Sequence, residues 1–155
     1  VLALNTGLRA GEIFKITLND INFVDLTVHI QDTKSKKNRV IPLNRQALKV
    51  LLDNSRDGDK EKPIFDINAA YTRPFTKAVE HCGFNDGVAD RRERVVFHTL
   101  RHTFASWLVQ EGVPIVIVAQ LLGHSDLRMT MRYSHLAPNA AKSAVNTYLP
   151  ELATA

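Results

Sequence analysis

The chain has 155 residues, with 45% hydrophobic and 23% charged residues, the make-up of one soluble globular domain with a sizeable core. No apolar run reaches the roughly 18–20 residues of a membrane span, and no signal peptide is visible, so a cytoplasmic setting is the expectation. A net charge of +4 and a pI near 9.4 permit an anionic partner without requiring one, and a single cysteine, Cys82, excludes an internal disulfide framework and a multi-cysteine metal site.

Val1 to Asn5 reads as the last turn of a helix that begins without a cap, which suggests a fragment whose natural N-terminal part is absent, and Gly7 falls just past the helix end. A second helix is predicted over Arg9 to Leu18, with Ile13 and Ile16 turned inward. Arg9 and Glu12 lie three apart on it, a spacing that suits an exposed ion pair worth a few tenths of a kcal/mol. From Asn19 to Pro42 the pattern changes to period two. Ile21 and Phe23, then Leu26, Val28 and Ile30, then Val40 and Ile41 predict three short antiparallel strands. The connection DTKSKKN and the strand after it carry Lys34, Lys36, Lys37 and Arg39, a basic hairpin suited either to solvent or to a phosphate backbone.

Asn44 caps a short helix to Leu52, and a polar loop follows. Another helix runs from about Arg73 or Pro74 to His81, with Cys82 expected as a small buried hydrophobe near its end. Asn85 to Arg94 is a second polar loop, basic on its late side at Arg91, Arg92 and Arg94. His98 or Thr99 opens a helix carrying Leu100, Phe104, Trp107 and Leu108 on one side, ending near Gly112. Pro114 starts the next helix, which ends near Gly123, and Asp126 can cap a short one leading to Tyr133. A last helix is predicted over Pro138 to Leu149. The fold class is therefore α+β and mainly helical, with a small three-stranded antiparallel sheet on one edge.

His98 and His102 have a spacing at which two imidazoles can share zinc, yet the intervening TLR lacks a hydrolase's glutamate and nothing nearby completes a site. His29 and His81 have no partners in sequence. GHSD at Gly123 to Asp126 is not a nucleophile elbow, and GLRAG is not a phosphate-cradling loop. What remains is a set of arginines, histidines, a lysine and a tyrosine. Guanidinium forks suit the oxygens of a phosphodiester under attack, and a tyrosine becomes a competent nucleophile beside a base and fixed positive charge.

TGLRAGE at Thr6 to Glu12, the TKSKKNRVIPL hairpin, HTLRH at His98 to His102, LGHS at Leu122 to Ser125 and MRYSHL at Met131 to Leu136 resemble the catalytic domain of tyrosine recombinases of the phage-integrase and Xer type. The order of motifs matches along essentially the whole chain, with 23 residues from Arg101 to His124 and nine from His124 to Tyr133. The resemblance implies that Tyr133 is the nucleophile forming a 3′-phosphotyrosyl link and freeing a 5′-hydroxyl. It implies that Arg9 and Arg101 grip the scissile phosphate, that His124 donates to it and that His98 accepts the tyrosine proton. Lys34 would protonate the leaving oxygen, with Lys36, Lys37 and Arg39 as DNA contacts. Glu12 and His102 match positions that orient the arginine and the helix. No metal, nucleotide or other cofactor is implied. The implied partner is double-stranded DNA, with a homotetramer on DNA for the full-length protein and a monomer for this fragment. Type IB topoisomerase chemistry and an inactive DNA-binding remnant are the rival readings.

Overall fold

A computed structural model of the chain describes residues 1–31, 38–55, 59–65 and 72–138. Helix α1 (Leu2–Thr6) stops at Gly7, whose φ of 64° lies in the left-handed region and whose N–H bonds back to the Ala3 carbonyl. No larger residue fits there, because a Cβ would stand 2.4 Å from the Phe104 ring. Helix α2 (Ala10–Ile13) is a single turn rather than the predicted run from Arg9 to Leu18. Long-range bonds replace the missing helical ones. Thr17 forms a bridge with Pro63, Ile64 N–H donates to the Ile16 carbonyl at 2.8 Å, and Leu18–Asp20 winds as a 3-10 turn. Ile13 and Ile16 are nevertheless buried as the periodicity predicts.

Strands β1 (Ile21–Asn22), β2 (Thr27–Gln31) and β3 (Asn38–Pro42) pair antiparallel in that order, with Val28 opposite both Ile21 and Ile41. Alternation turns Val28, Ile30 and Ile41 into the core and leaves His29 and Val40 outside. Arg39, two residues before Ile41, shares its inward face. Phe23 and Leu26, expected as strand residues, lie in the turn between β1 and β2, where Leu26 has a positive φ of 51°.

Asn44 caps α3 (Arg45–Asn54) by accepting from the Ala47 N–H at 2.9 Å. Helix α4 (Thr72–His81) follows, and Cys82 just beyond it is exposed, not buried as its residue type suggested. Helix α5 (Phe97–Gln110) buries Arg101, Phe104, Ala105 and Val109, one continuous stripe, and packs on α1. Trp107 is 53% exposed, so it does not share the buried face with Phe104. Helix α6 (Ile115–Leu122) ends at Gly123 in the left-handed region, and α7 (Arg128–Met131) begins where Asp126 accepts from the Arg128 N–H at 2.8 Å.

Two apolar clusters result. One joins α1, α2, the sheet and α3 around Leu8, Ile16, Val28, Ile41 and Leu51; the other joins α5, α6 and the segment after α7 around Phe104, Val109, Val118, Leu122 and Tyr133. Burying each large aliphatic side chain contributes about 1.5–3 kcal/mol. Among the described residues no helix is long and apolar enough to cross a membrane. The helix expected over Pro138 to Leu149, apart from Pro138, lies outside the described residues.

Candidate active site

The seam between the two clusters is closed by a cation. Arg101 projects from α5 and is only 3% exposed. Its guanidinium donates to the Gly7 carbonyl at 2.6 Å and to the Leu122 carbonyl at 2.5 Å. These acceptors sit at the C-terminal ends of α1 and α6, where helices leave carbonyls unsatisfied. Two backbone bonds use two of five N–H donors, so the fork retains donors for a further anion. Burial, then the nearby charge of Arg9, brings the Arg101 pKa down to about 10, still cationic at neutral pH.

A second fork lies beside it. Arg39 Nε donates to the Leu121 carbonyl at 3.2 Å, and its terminal nitrogen meets Glu12 Oε2 at 2.8 Å. Its side chain is 10% exposed and is held on the inner face of the hairpin by these two partners. Glu12 is shared: Oε1 takes the Arg9 guanidinium at 3.0 Å, while Oε2 also caps the Arg9 N–H at 2.7 Å. Burial alone would raise the Glu12 pKa, but the Arg39 hydrogen bond, the Arg9 N–H and both guanidinium charges outweigh it and lower the pKa. The pair expected between Arg9 and Glu12 therefore exists as part of a triad that fixes Arg9. Arg9 remains 40% exposed. Gly123 leaves room for this arrangement, since a Cβ there would come within 2.8 Å of the Arg39 guanidinium.

The Gly123 turn also aims His124, whose N–H bonds to the Ala119 carbonyl. Its Nδ1 lies 2.7 Å from Oγ1 of Thr130, which is fully buried. Burial, then the charges of Arg101, Arg9 and Arg39, lowers the His124 pKa to about 4, so the ring is neutral at pH 7. Tyr133 is 7% exposed, and its hydroxyl lies 2.5 Å from Nδ1 of His102. His98, expected on the phenol, stands instead edge-on to His102 with ring centroids 4.7 Å apart. Burial is the first cause lowering both pKa values, followed for His98 by Arg101 and for His102 by His98. Burial raises the Tyr133 pKa, with Arg132 and Arg101 acting against it. The Arg132 guanidinium carbon is 5.9 Å from the centroid of the Tyr133 ring.

Arg101 lies within electrostatic reach of Arg9, His98, His124 and Tyr133. Lys34, Lys36 and Lys37 lie outside the described residues. The contacts of His102 and Thr130 were not read from sequence, although His102 shares the α5 stripe of His98, Arg101 and Ala105. Among the described residues no group of three or more His, Cys, Asp or Glu is arranged to hold a metal. This seam offers a phenol, imidazoles able to take its proton, and cationic donors for an anion.

Residues 1–140 match the family model described as the phage integrase family. The integrase of Salmonella phage P22 is 36% identical over 149 residues, covering 88% of this chain and 38% of that protein. A tyrosine recombinase of Pseudothermotoga lettingae is 33% identical, with 94% of this chain and 51% of that protein covered. The chain thus spans about half or less of the length of these relatives. The solved catalytic domain of bacteriophage HP1 integrase superposes with a TM-score of 0.72 at 33% identity, over 94% of this chain and 77% of that one.

Proposed function

Because the chain belongs to the phage integrase family, we propose that it is the catalytic part of a site-specific DNA recombinase, cutting and rejoining strands through a 3′-phosphotyrosyl intermediate. The observation that supports this reading is that Tyr133, its hydroxyl on His102, lies within electrostatic reach of the buried Arg101, which in turn acts on His124. In the proposed step the Tyr133 oxygen attacks phosphorus and the bond to the 5′-oxygen breaks. The phenolic proton passes to the imidazole pair, of which His102 is the member in contact here. Arg9, Arg101 and His124 stabilise the charge that grows on the non-bridging oxygens. Lys34 supplies a proton to the leaving 5′-oxygen.

Each part has a physical basis. A phenol with a raised pKa is a poor nucleophile until a base takes its proton, and three neutral imidazoles surround the seam. Two guanidiniums fixed before substrate arrives need little reorganisation as charge develops. The phosphotyrosine retains the bond's free energy, so resealing needs no nucleotide. Double-stranded DNA is the proposed partner, held with the help of Lys36 and Lys37, and the longer protein is proposed to act as a homotetramer on it.

The test is incubation of the chain with a pool of nicked duplexes of randomised sequence, in the presence of a chelator, followed by denaturing electrophoresis. A covalent protein–DNA species that Tyr133→Phe abolishes is the expected result. No such species at any DNA concentration would refute the proposal.

A further inference from the structure

We propose that Thr130 is a positioning residue for His124: its hydroxyl donates to Nδ1 and so keeps the ring's single proton on Nε2, the nitrogen left to face a phosphate. The inference rests on the reading of His124 as a phosphate donor but stands on its own geometry. Thr130 is fully buried, and the partner of Oγ1 among the described residues is Nδ1 of His124, 2.7 Å away. A buried hydroxyl needs an acceptor for its proton. Were Nδ1 the protonated nitrogen, two donors would face each other, or the hydroxyl proton would be left without an acceptor. The partner of one imidazole nitrogen thereby decides which nitrogen carries hydrogen.

The choice matters because the His124 ring, with its pKa lowered to about 4 by burial and then by the charges of Arg101, Arg9 and Arg39, is neutral at pH 7 and has one N–H to offer. Thr130 has a second connection. Its carbonyl accepts from the Tyr133 N–H at 3.0 Å, so one residue holds both the ring of the phosphate donor and the backbone of the nucleophile. Helix α7 thus sets the state of His124 and the place of Tyr133 together. The arrangement needs a β-hydroxyl at position 130, which an isosteric Thr130→Val replacement removes without changing the side chain's shape.

The experiment is long-range proton–nitrogen correlation of the 15N-labelled chain at pH 7, read at His124, with Thr130→Val and Thr130→Ser in parallel. Wild type and Thr130→Ser should show the Nε2–H tautomer, and Thr130→Val a shift towards Nδ1–H. Covalent-adduct formation should fall about tenfold or more in Thr130→Val, at unchanged DNA affinity, and recover in Thr130→Ser. Nδ1–H in the wild-type chain would overturn the proposal whether or not any variant folds. So would a folded Thr130→Val with unchanged tautomer, or a Thr130→Ser as impaired as the valine variant. Absence of adduct in wild type would instead count against the recombinase reading, with the tautomer measurement still deciding the role of Thr130.

Discussion

The hydroxyl of Tyr133 meets Nδ1 of His102, thirty-one residues earlier in the chain, at 2.5 Å. This contact joins the segment after α7 to the middle of α5, and it puts the phenol on the second histidine of HTLRH rather than the first. His102→Phe should therefore lower the rate of adduct formation by about 10²-fold, the lower end of the usual range for losing a positioned proton acceptor, with DNA affinity unchanged. Single-turnover cleavage beside a binding titration checks it. An unchanged rate, with His98→Phe alone impaired, would return the role to His98.

Arg101 should matter to the fold as well as to the chemistry, because it joins the ends of α1 and α6. Arg101→Lys keeps the charge but cannot span both carbonyls. A loss of about 3 kcal/mol in urea unfolding is expected, from charged hydrogen bonds removed and buried carbonyls left unpaired. A loss below about 1 kcal/mol would mean that the clamp contributes little.

Glu12→Gln should weaken both arginine contacts at once. Stability is expected to fall by about 2 kcal/mol, since one carboxylate holds Arg39 and Arg9 in a mostly buried site. The adduct rate should fall by about tenfold as Arg9 loosens. Thermal melts and cleavage assays measure the two effects separately.

Lowering the pH should destabilise the chain earlier than acid-sensitive carboxylates alone would. His98, His102 and His124 titrate below the ordinary value of 6.5 in the fold, His124 at about 4, whereas the unfolded chain takes up their protons near 6.5. Between those values the unfolded state binds more protons, so stability is full above about pH 6.5 and declines towards pH 4. Glu12, with its depressed pKa, contributes a further loss below its unfolded value of 4.5. Urea midpoints from pH 7 to 4.5 should fall, and less steeply in His124→Phe. A flat profile would contradict this account.

Much of this fold is legible from short-range pattern. Period two gives the sheet, Asn44 and Gly123 mark helix ends, and the spacing of Ile13 and Ile16 gives their burial. What is not legible depends on distant partners. The helix expected to reach Leu18 gives way because Ile16 and Thr17 find backbone partners near Pro63. Arg39 reads as one more charge on a basic hairpin, although its parity with Ile41 already assigns it to the inner face; its acceptor, Leu121, is 82 residues away. Trp107 stands at helical spacing from Leu100 and Phe104, but the buried stripe centres on Arg101 and Ala105 and leaves it exposed. The motifs identify the candidate residues, whereas the hydrogen-bond partners of Tyr133 and His124 emerge only when α5, α6 and α7 pack.

In the proposed reaction Tyr133 carries the DNA. Proteolysis of the trapped adduct followed by mass spectrometry of the DNA-bearing peptide tests it most directly. The expected result is a peptide containing Tyr133 linked through its oxygen to a 3′-phosphate. Attachment to another residue, or through a 5′-phosphate, would contradict it.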